Sequence, residues 1–249
     1  MSERNETDAH ILLADISGYT RFLRENRVTL RHANYIVSEL LAAIMQRAEP
    51  VICPEKIEGD AILFVAPAGQ VIDASVRRSM FGFFSAFYRR RAQLIAHNSC
   101  PCEACTTIHH LDLKVISHFG KVLRYTVNNF EELAGFDIIV AHRLLKNSVE
   151  ATRYLMVTDA AWALVRPENH ALPVESHVEQ CEGVGDISVV VIRGEVTLPD
   201  EQPGPPPKTS MTYRIGDFAI KHLMLLPFGE RLFRQNARGV RAKARHFAP

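Results

Sequence analysis

The sequence predicts an α/β domain, a mostly antiparallel sheet with helices packed on it, followed by a basic helical tail. Three observations predict this. Short apolar runs of strand length recur between turn residues, two long stretches carry apolar residues at three- and four-residue spacing, and the composition turns abruptly to proline near residue 198. With 249 residues and 47% hydrophobic content, the chain can bury one substantial core and carry a small appendage.

The elements follow in order. His10–Asp15 is an apolar run bounded by Gly18 and reads as a buried strand ending in a carboxylate. From Arg31 to Ala48, the residues Ala33, Ile36, Val37, Leu40, Leu41, Ile44 and Met45 recur at helical spacing, and Pro50 stops the helix. Val51–Ile57 and Ala61–Ala66 flank Glu58-Gly59-Asp60 as a hairpin, which puts Asp60 at its tip and near Asp15. A second long helix spans Ile72 to Ala96, and a cysteine-bearing loop leads on to a strand over Leu111–Val122 that Arg124–Val127 extends as an arm. After Gly135, Phe136–Val149 is helical by spacing, with Arg143 one turn before its end. Tyr154–Thr158 is a strand, and Thr158 or Asp159 caps a helix over Asp159–Val165. Val174–Cys181 and Ile187–Val196 form the last strand pair, joined through Gly183-Val184-Gly185-Asp186.

The chain therefore divides into a domain over residues 1–197, a stiff linker over 198–210 rich in proline, and a tail over 211–249. From Lys208 onward nine basic residues face only Asp217 and Glu230, which makes this end about +7 and leaves about −6 for the rest of a chain whose formal net charge is +1. Phe218, Ile220, Leu223, Met224, Leu225, Leu226 and Phe228 lie among these basic residues. Such a helix either docks on the oppositely charged domain, the preferred reading, or makes peripheral contact with a membrane surface. No run approaches the ~20 apolar residues of a membrane span, and Met1–His10 lacks the order of a secretory signal. Five cysteines do not form the evenly paired framework of a small secreted protein, so the expected location is a reducing cytoplasm. Arg89-Arg90-Arg91 at a helix end serves the helix dipole and solubility, and with no stacking or glycine-rich motif no nucleic-acid partner is expected.

Chemistry begins with the two strand-end carboxylates. Hard cations such as Mg²⁺ take one or two carboxylates together with phosphate oxygens, so Asp15 and Asp60 on adjacent tips suit a metal–triphosphate site. Ser17, Gly18 and Tyr19 offer backbone N–H groups at the next helix start for the phosphates. Capping a turn is the commoner role of any single such aspartate, and spacing alone leaves both readings open.

Asp15-Ile16-Ser17-Gly18-Tyr19 and Lys56-Ile57-Glu58-Gly59-Asp60 resemble the metal-binding motifs of class III adenylate and guanylate cyclases. Those motifs are a strand ending Asp-Ile-x-Gly-Phe and a later Lys-x-x-Gly-Asp. Ile116-Ser117-His118-Phe119-Gly120 resembles the strand before that family's dimerisation arm, Gly135 followed by Ala141-His142-Arg143-Leu144 resembles the helix ending in its catalytic arginine, and Glu182-Gly183-Val184-Gly185-Asp186 stands at its lysine-bearing turn. The resemblance covers about residues 10–195 and extends to a bacterial branch marked by a Cys-x-Cys-x-x-Cys loop.

The resemblance implies a ferredoxin-like class III nucleotidyl cyclase fold in which Asp15 and Asp60 hold Mg²⁺ or Mn²⁺ and the Ile16 backbone adds an oxygen. It places Lys56 and Glu132 on the nucleotide base and Arg143 on the transition state. A lysine and a carboxylate fit adenine, whose N1 accepts and whose N6 amino group donates, so ATP is expected over other nucleoside triphosphates. It also implies a head-to-tail homodimer whose site takes its metal residues from one subunit and Arg143 from the other. Two departures stand out: Ile139 replaces the family's asparagine four residues before the arginine, and Glu182 and Val184 replace both lysines of the turn. The function expected is an adenylate cyclase-like protein forming cyclic AMP and pyrophosphate; the alternative is a nucleotide-sensing or interaction module that keeps the fold and has lost the chemistry.

A second metal is also in prospect. Cys100, Cys102 and Cys105, with His97, His109 and His110 nearby in sequence, have the donors for one structural Zn²⁺, although the spacing is not that of a standard zinc finger and a reduced loop with buried thiols stays open. His118, on a strand, is expected to be a satisfied core histidine.

Overall fold

The computed structural model describes residues 6–26, 29–167, 173–196 and 210–223. The chain divides into two compact units, Met1–Ser17, Ile44–Ala86 and Asp112–Gln202 in the first and Gly18–Ala43, Phe87–Leu111 and Pro203–Pro249 in the second. Residues 198–209 of the expected proline linker over 198–210, and the tail beyond Leu223, lie outside the described residues.

The first unit is built on one sheet of eight strands: β1 (Glu6–Ser17), β2 (Cys53–Glu58), β3 (Ala61–Pro67), β4 (Asp112–Val127), β5 (Phe130–Ala134), β6 (Tyr154–Thr158), β7 (Val174–Cys181) and β8 (Gly185–Arg193). Their order is β2-β3-β1-β4-β6-β8-β7, with β5 folded back on β4 as an arm. Only β4 and β6 run parallel; the remaining pairs are antiparallel. β1 lies between β3 and β4, and Ala9 to Ala14 are buried without a break, the pattern of a strand covered on both faces. Successive residues point to opposite faces. Ile11 and Leu13 accordingly join Val65, Ile116, Met156, Val191 and the buried face of helix α5 (Phe136–Leu144) in one apolar cluster. On β3, Phe64 stacks on Phe83 of the long helix α3 (Gln70–His97), ring centroids 5.0 Å apart. Helix α6 (Asp159–Val165) has the expected bounds with Thr158 at its N-cap, although the Thr158 hydroxyl meets His118 instead of capping the helix.

The second unit is helical. It takes α1 (Tyr19–Glu25), most of α2 (Leu30–Arg47), the last turns of α3, the short α4 (Glu103–Thr106), a 3-10 turn over Ile108–His110, and α7 (Met211–Leu223). Glu39 on α2 pairs with Arg90 on α3, and Arg91 donates to the Leu111 carbonyl at 2.6 Å while lying over the Tyr88 ring, so the arginine run ties helices together within this unit. No helix among the described residues is long and apolar enough to cross a membrane.

One element is shorter than its spacing suggests. The helix expected over Phe136–Val149 ends at Leu144, because Asn147 Nδ2 donates to the Leu144 carbonyl at 2.6 Å and the Ser148 N–H turns aside to the Glu179 carboxylate at 3.0 Å. Arg143 therefore stands at the helix end rather than a turn inside it.

Candidate functional site

The residues singled out in the first unit fall into three pairs. The first sits where β1 ends beside the β2–β3 turn, and Ile16 N–H donates to the Asp60 carbonyl at 3.2 Å, which fixes that tip against the strand. The Asp15 and Asp60 carboxyl groups are hydrogen-bond neighbours there. Burial first, and then the Asp15 charge, push Asp60 up to about 6. Two partly buried carboxylates side by side favour positive charge or a proton beside them, and as oxygen donors they fit a hard divalent ion. Lys114 on β4 reaches the same place, with Nζ 2.9 Å from Asp15 Oδ2 and donating to the Leu145 carbonyl at 3.1 Å. It offsets one of the two negative charges. Next along the chain, Ser17 ends β1, Gly18 is the N-cap of α1 and Tyr19 opens that helix.

The second pair joins Lys56 on β2 to Glu132 on β5, with Nζ 3.2 Å from Oε2 and 3.4 Å from Oε1. Nearby in the sheet, Arg124 on β4 grips Glu55 through two N–H groups, at 2.9 and 2.5 Å, which holds the outer end of β4 beside β2. The lysine and the carboxylate thus stand as mutual partners, both half-exposed, with the donor and acceptor that an adenine edge would take up. The third pair is Arg143 Nη1 and Glu182 Oε2 at 3.6 Å, with Glu182 93% exposed. An exposed pair this long contributes roughly 0–1 kcal/mol and leaves the guanidinium free to exchange partners.

Two glycines of the candidate motifs have structural explanations. A Cβ on Gly120 would overlap the Asp137 side chain, and one on Gly135, at φ 138°, would come 2.7 Å from the Lys121 carbonyl oxygen. Asp137, in the first turn of α5, accepts from the Lys121 N–H at 2.6 Å and meets His118 Nε2 at 3.1 Å, while His118 Nδ1 meets Thr158 Oγ1 at 2.9 Å. His118 is a satisfied core histidine, as its strand position suggests.

Residues 37–154 match the family described as "Protein of unknown function (DUF2652)". The chain is 32% identical over 152 residues to "Uncharacterized protein Rv2561/Rv2562" of Mycobacterium tuberculosis, across 61% of this chain and 70% of that one. The chain belongs to the Rv2561/Rv2562 family. Its fold is that of class III adenylyl and guanylyl cyclase domains. It is similar to the guanylyl cyclase Cya2 with a TM-score of 0.57 at 12% identity, over 84% of this chain and 98% of that one. It is also similar to a bacterial light-regulated adenylyl cyclase (TM-score 0.54, 16% identity, 91% of this chain), of which it spans only 60%. The guanylate cyclase domain of RhGC from Catenaria anguillulae, solved with GTP, gives a TM-score of 0.52 at 14% identity, over 76% of this chain and 98% of that one.

In this member of the Rv2561/Rv2562 family the second unit holds a further cluster that the loop spacing only half reveals. Cys100, Cys102 and Cys105 converge, and the fourth donor beside them is His32, with all four ligand atoms within 4.8 Å of one another. The histidines nearest in sequence are elsewhere: His97 stacks on Tyr213 at 4.8 Å, and His109 and His110 are exposed. His32 had one available signal. It stands four residues before Ile36 on the buried stripe of α2, an unusual place for a polar ring. Lys114 had none, because its meeting with Asp15 depends on the register of β1 against β4.

Proposed function

We propose that this chain is an adenylate cyclase-like protein that binds ATP through Mg²⁺ or Mn²⁺ and converts it to cyclic AMP and pyrophosphate, as a head-to-tail homodimer in the cytoplasm. The observation that carries the reading is the meeting of Asp15 and Asp60, where burial and repulsion push Asp60 up to about 6. Asp15, Asp60 and the Ile16 carbonyl would hold the divalent ion, which when bound supplies positive charge for the triphosphate.

The chain's own groups do the rest. Lys56 Nζ donates to adenine N1 and Glu132 accepts from the N6 amino group, each exchanging its present partner for the base edge. The Arg143 guanidinium, at the exposed end of α5, stabilises charge that develops on the phosphates as the ring closes. Assembly of two copies brings Arg143 of one to the aspartates of the other. Apolar residues exposed on the arm and on α5 support such an interface: Phe130 is 71% exposed, Phe136 58% and Ile139 51%, with Tyr125 and Val127 beside them on the arm.

A second reading has one specific observation in its favour. Glu182 presents a carboxylate to Arg143 at the turn where the cyclases carry a lysine, as a protein that binds nucleotide without turning it over could tolerate. Incubating the purified chain with ATP and Mn²⁺, with cyclic AMP, pyrophosphate and bound ATP all measured, separates the two. Cyclic product supports the enzyme. Bound ATP without product, in either metal and with the dimer assembled, supports the sensor, and failure to bind ATP in any metal removes both.

A further inference from the structure

Three thiols and one imidazole meet inside the second unit. His32 Nδ1 lies 3.3 Å from Cys102 Sγ, 3.7 Å from Cys100 Sγ and 3.9 Å from Cys105 Sγ. A tetrahedral Zn²⁺ with Zn–S near 2.3 Å and Zn–N near 2.0 Å requires N···S edges of about 3.5 Å. The three observed edges straddle that length. His32 is 6% exposed and Cys105 2%, while Cys100 and Cys102 are partly buried, so the cluster is closed on one side and reachable from the other.

The surroundings look built for those donors. Asn98 Nδ2 donates to the carbonyls of Cys100 at 3.0 Å and Cys105 at 3.2 Å, while its Oδ1 accepts from the Cys100 N–H at 3.0 Å. The Cys105 N–H closes a turn onto the Cys102 carbonyl at 3.0 Å, which brings the last cysteine back beside the middle one. On the far side of the ring, His32 Nε2–H donates to the Lys221 carbonyl of α7 at 3.3 Å. That bond selects the tautomer whose Nδ1 lone pair faces the thiols, the role an outer carbonyl plays for metal-bound histidine. Lys221 is itself 1% exposed, with Nζ 2.8 Å from Asp217 Oδ2 and donating to Asn98 Oδ1 at 3.0 Å. Asp217 also accepts from the Ser99 N–H and hydroxyl, at 3.4 and 3.3 Å.

We propose that His32, Cys100, Cys102 and Cys105 bind one structural Zn²⁺, and that the ion latches helix α7 onto the cysteine loop through the His32–Lys221 bond. Three sulfurs and a ring nitrogen select a soft or borderline ion over Mg²⁺ or Ca²⁺, and four protein donors leave no open position for a reacting water. Three thiolates around a divalent ion carry one net negative charge, and the Lys221 ammonium of the buried Lys221–Asp217 pair lies close by. The latch follows from chain connectivity: His32 is both a ligand and the hydrogen-bond donor to α7, so losing the ion frees the ring that holds the helix. This inference is independent of the nucleotide reading, because none of its residues belongs to the carboxylate or base-recognition pairs.

The test uses the full chain purified without chelator. Elemental analysis should find one zinc per chain, and exchange with Co²⁺ should produce the intense visible absorption of a tetrahedral thiolate site. His32→Ala and Cys102→Ser should each weaken the metal at least tenfold. Either variant can also fail to fold, so His32→Cys, which keeps four soft donors, and His109→Ala, outside the cluster, should both retain the ion. Stripping zinc should speed amide hydrogen exchange over 211–223 at least tenfold, and adding it back should reverse the change. Metal-free protein with three freely reacting thiols and no cobalt spectrum overturns the site, and iron in the zinc position overturns the choice of ion. Exchange over α7 that ignores the metal overturns the latch.

Discussion

The aspartate pair and the cysteine–histidine cluster are both places where like groups are crowded together, yet they are built on opposite plans. Asp15 and Asp60 are half-buried at strand ends, are oxygen donors, and supply only part of a coordination sphere. His32 and Cys105 are buried and Cys100 and Cys102 partly so, and as soft donors the four would supply all of one. A hard ion held by two carboxylates keeps positions for phosphate oxygens and water, whereas a tetrahedral soft site that is full has nothing left for a substrate. On the two proposals, chemistry belongs to the first unit and architecture to the second.

The largest effect that sharpens this contrast should come from Asp60→Asn. It removes a metal oxygen and the repulsion with Asp15 together. Metal-dependent ATP turnover should fall at least 100-fold, about 2.7 kcal/mol, while the melting temperature of the metal-free protein at neutral pH stays level or rises. A stability loss without an activity loss would mean that the pair is structural after all. Arg143→Ala comes next: the maximal rate should drop at least tenfold, about 1.4 kcal/mol of barrier, with ATP–metal affinity little changed, as measured by steady-state kinetics beside equilibrium binding. Lys56→Ala should weaken ATP binding by roughly tenfold through the lost hydrogen bond to the base and reduce discrimination against GTP, read by competition binding.

The smallest effect is a pH dependence. The folded value for Asp60, about 6, lies above its ordinary 3.8, so its stabilising contribution is fully present below about 3.8 and is lost as pH rises through about 6. The melting temperature of metal-free wild type, taken relative to Asp60→Asn, should therefore decline across that window, and saturating Mn²⁺ should erase the decline. A flat difference curve would show that Asp60 titrates as an ordinary surface carboxylate.

Local signals in the sequence were enough for most of the elements. Tyr154–Thr158 and Asp159–Val165 were readable to the residue because a short apolar run, an N-cap residue of extended backbone and an acidic first turn act within a few positions. The hairpin that carries Asp60 was readable from its two-residue turn, whereas its meeting with Asp15, made through the β1–β3 ladder, drew its support only from the resemblance. Helix α5 was read too long, since the groups that end it include Glu179, 31 residues beyond Ser148. His32 was missed because 68 or more residues separate it from the thiols it meets, and no spacing rule spans that distance. The pairing of Arg143 with Glu182 likewise joins two segments that are far apart in sequence and that only the folded domain brings together.

The Asp137 clasp has a consequence for how the arm acquires its direction. One carboxylate in the first turn of α5 holds the Lys121 N–H and the His118 ring, contacts only 16 and 19 residues apart in sequence. Closing so short a loop costs little entropy, so the end of β4, the arm and the start of α5 can order together before the long-range pairings of the sheet are complete. They then open together as well. The stretch from His118 to Asp137 is expected to exchange its amide hydrogens as one unit, with the direction of the arm shared between its ladder on β4 and the helix that follows.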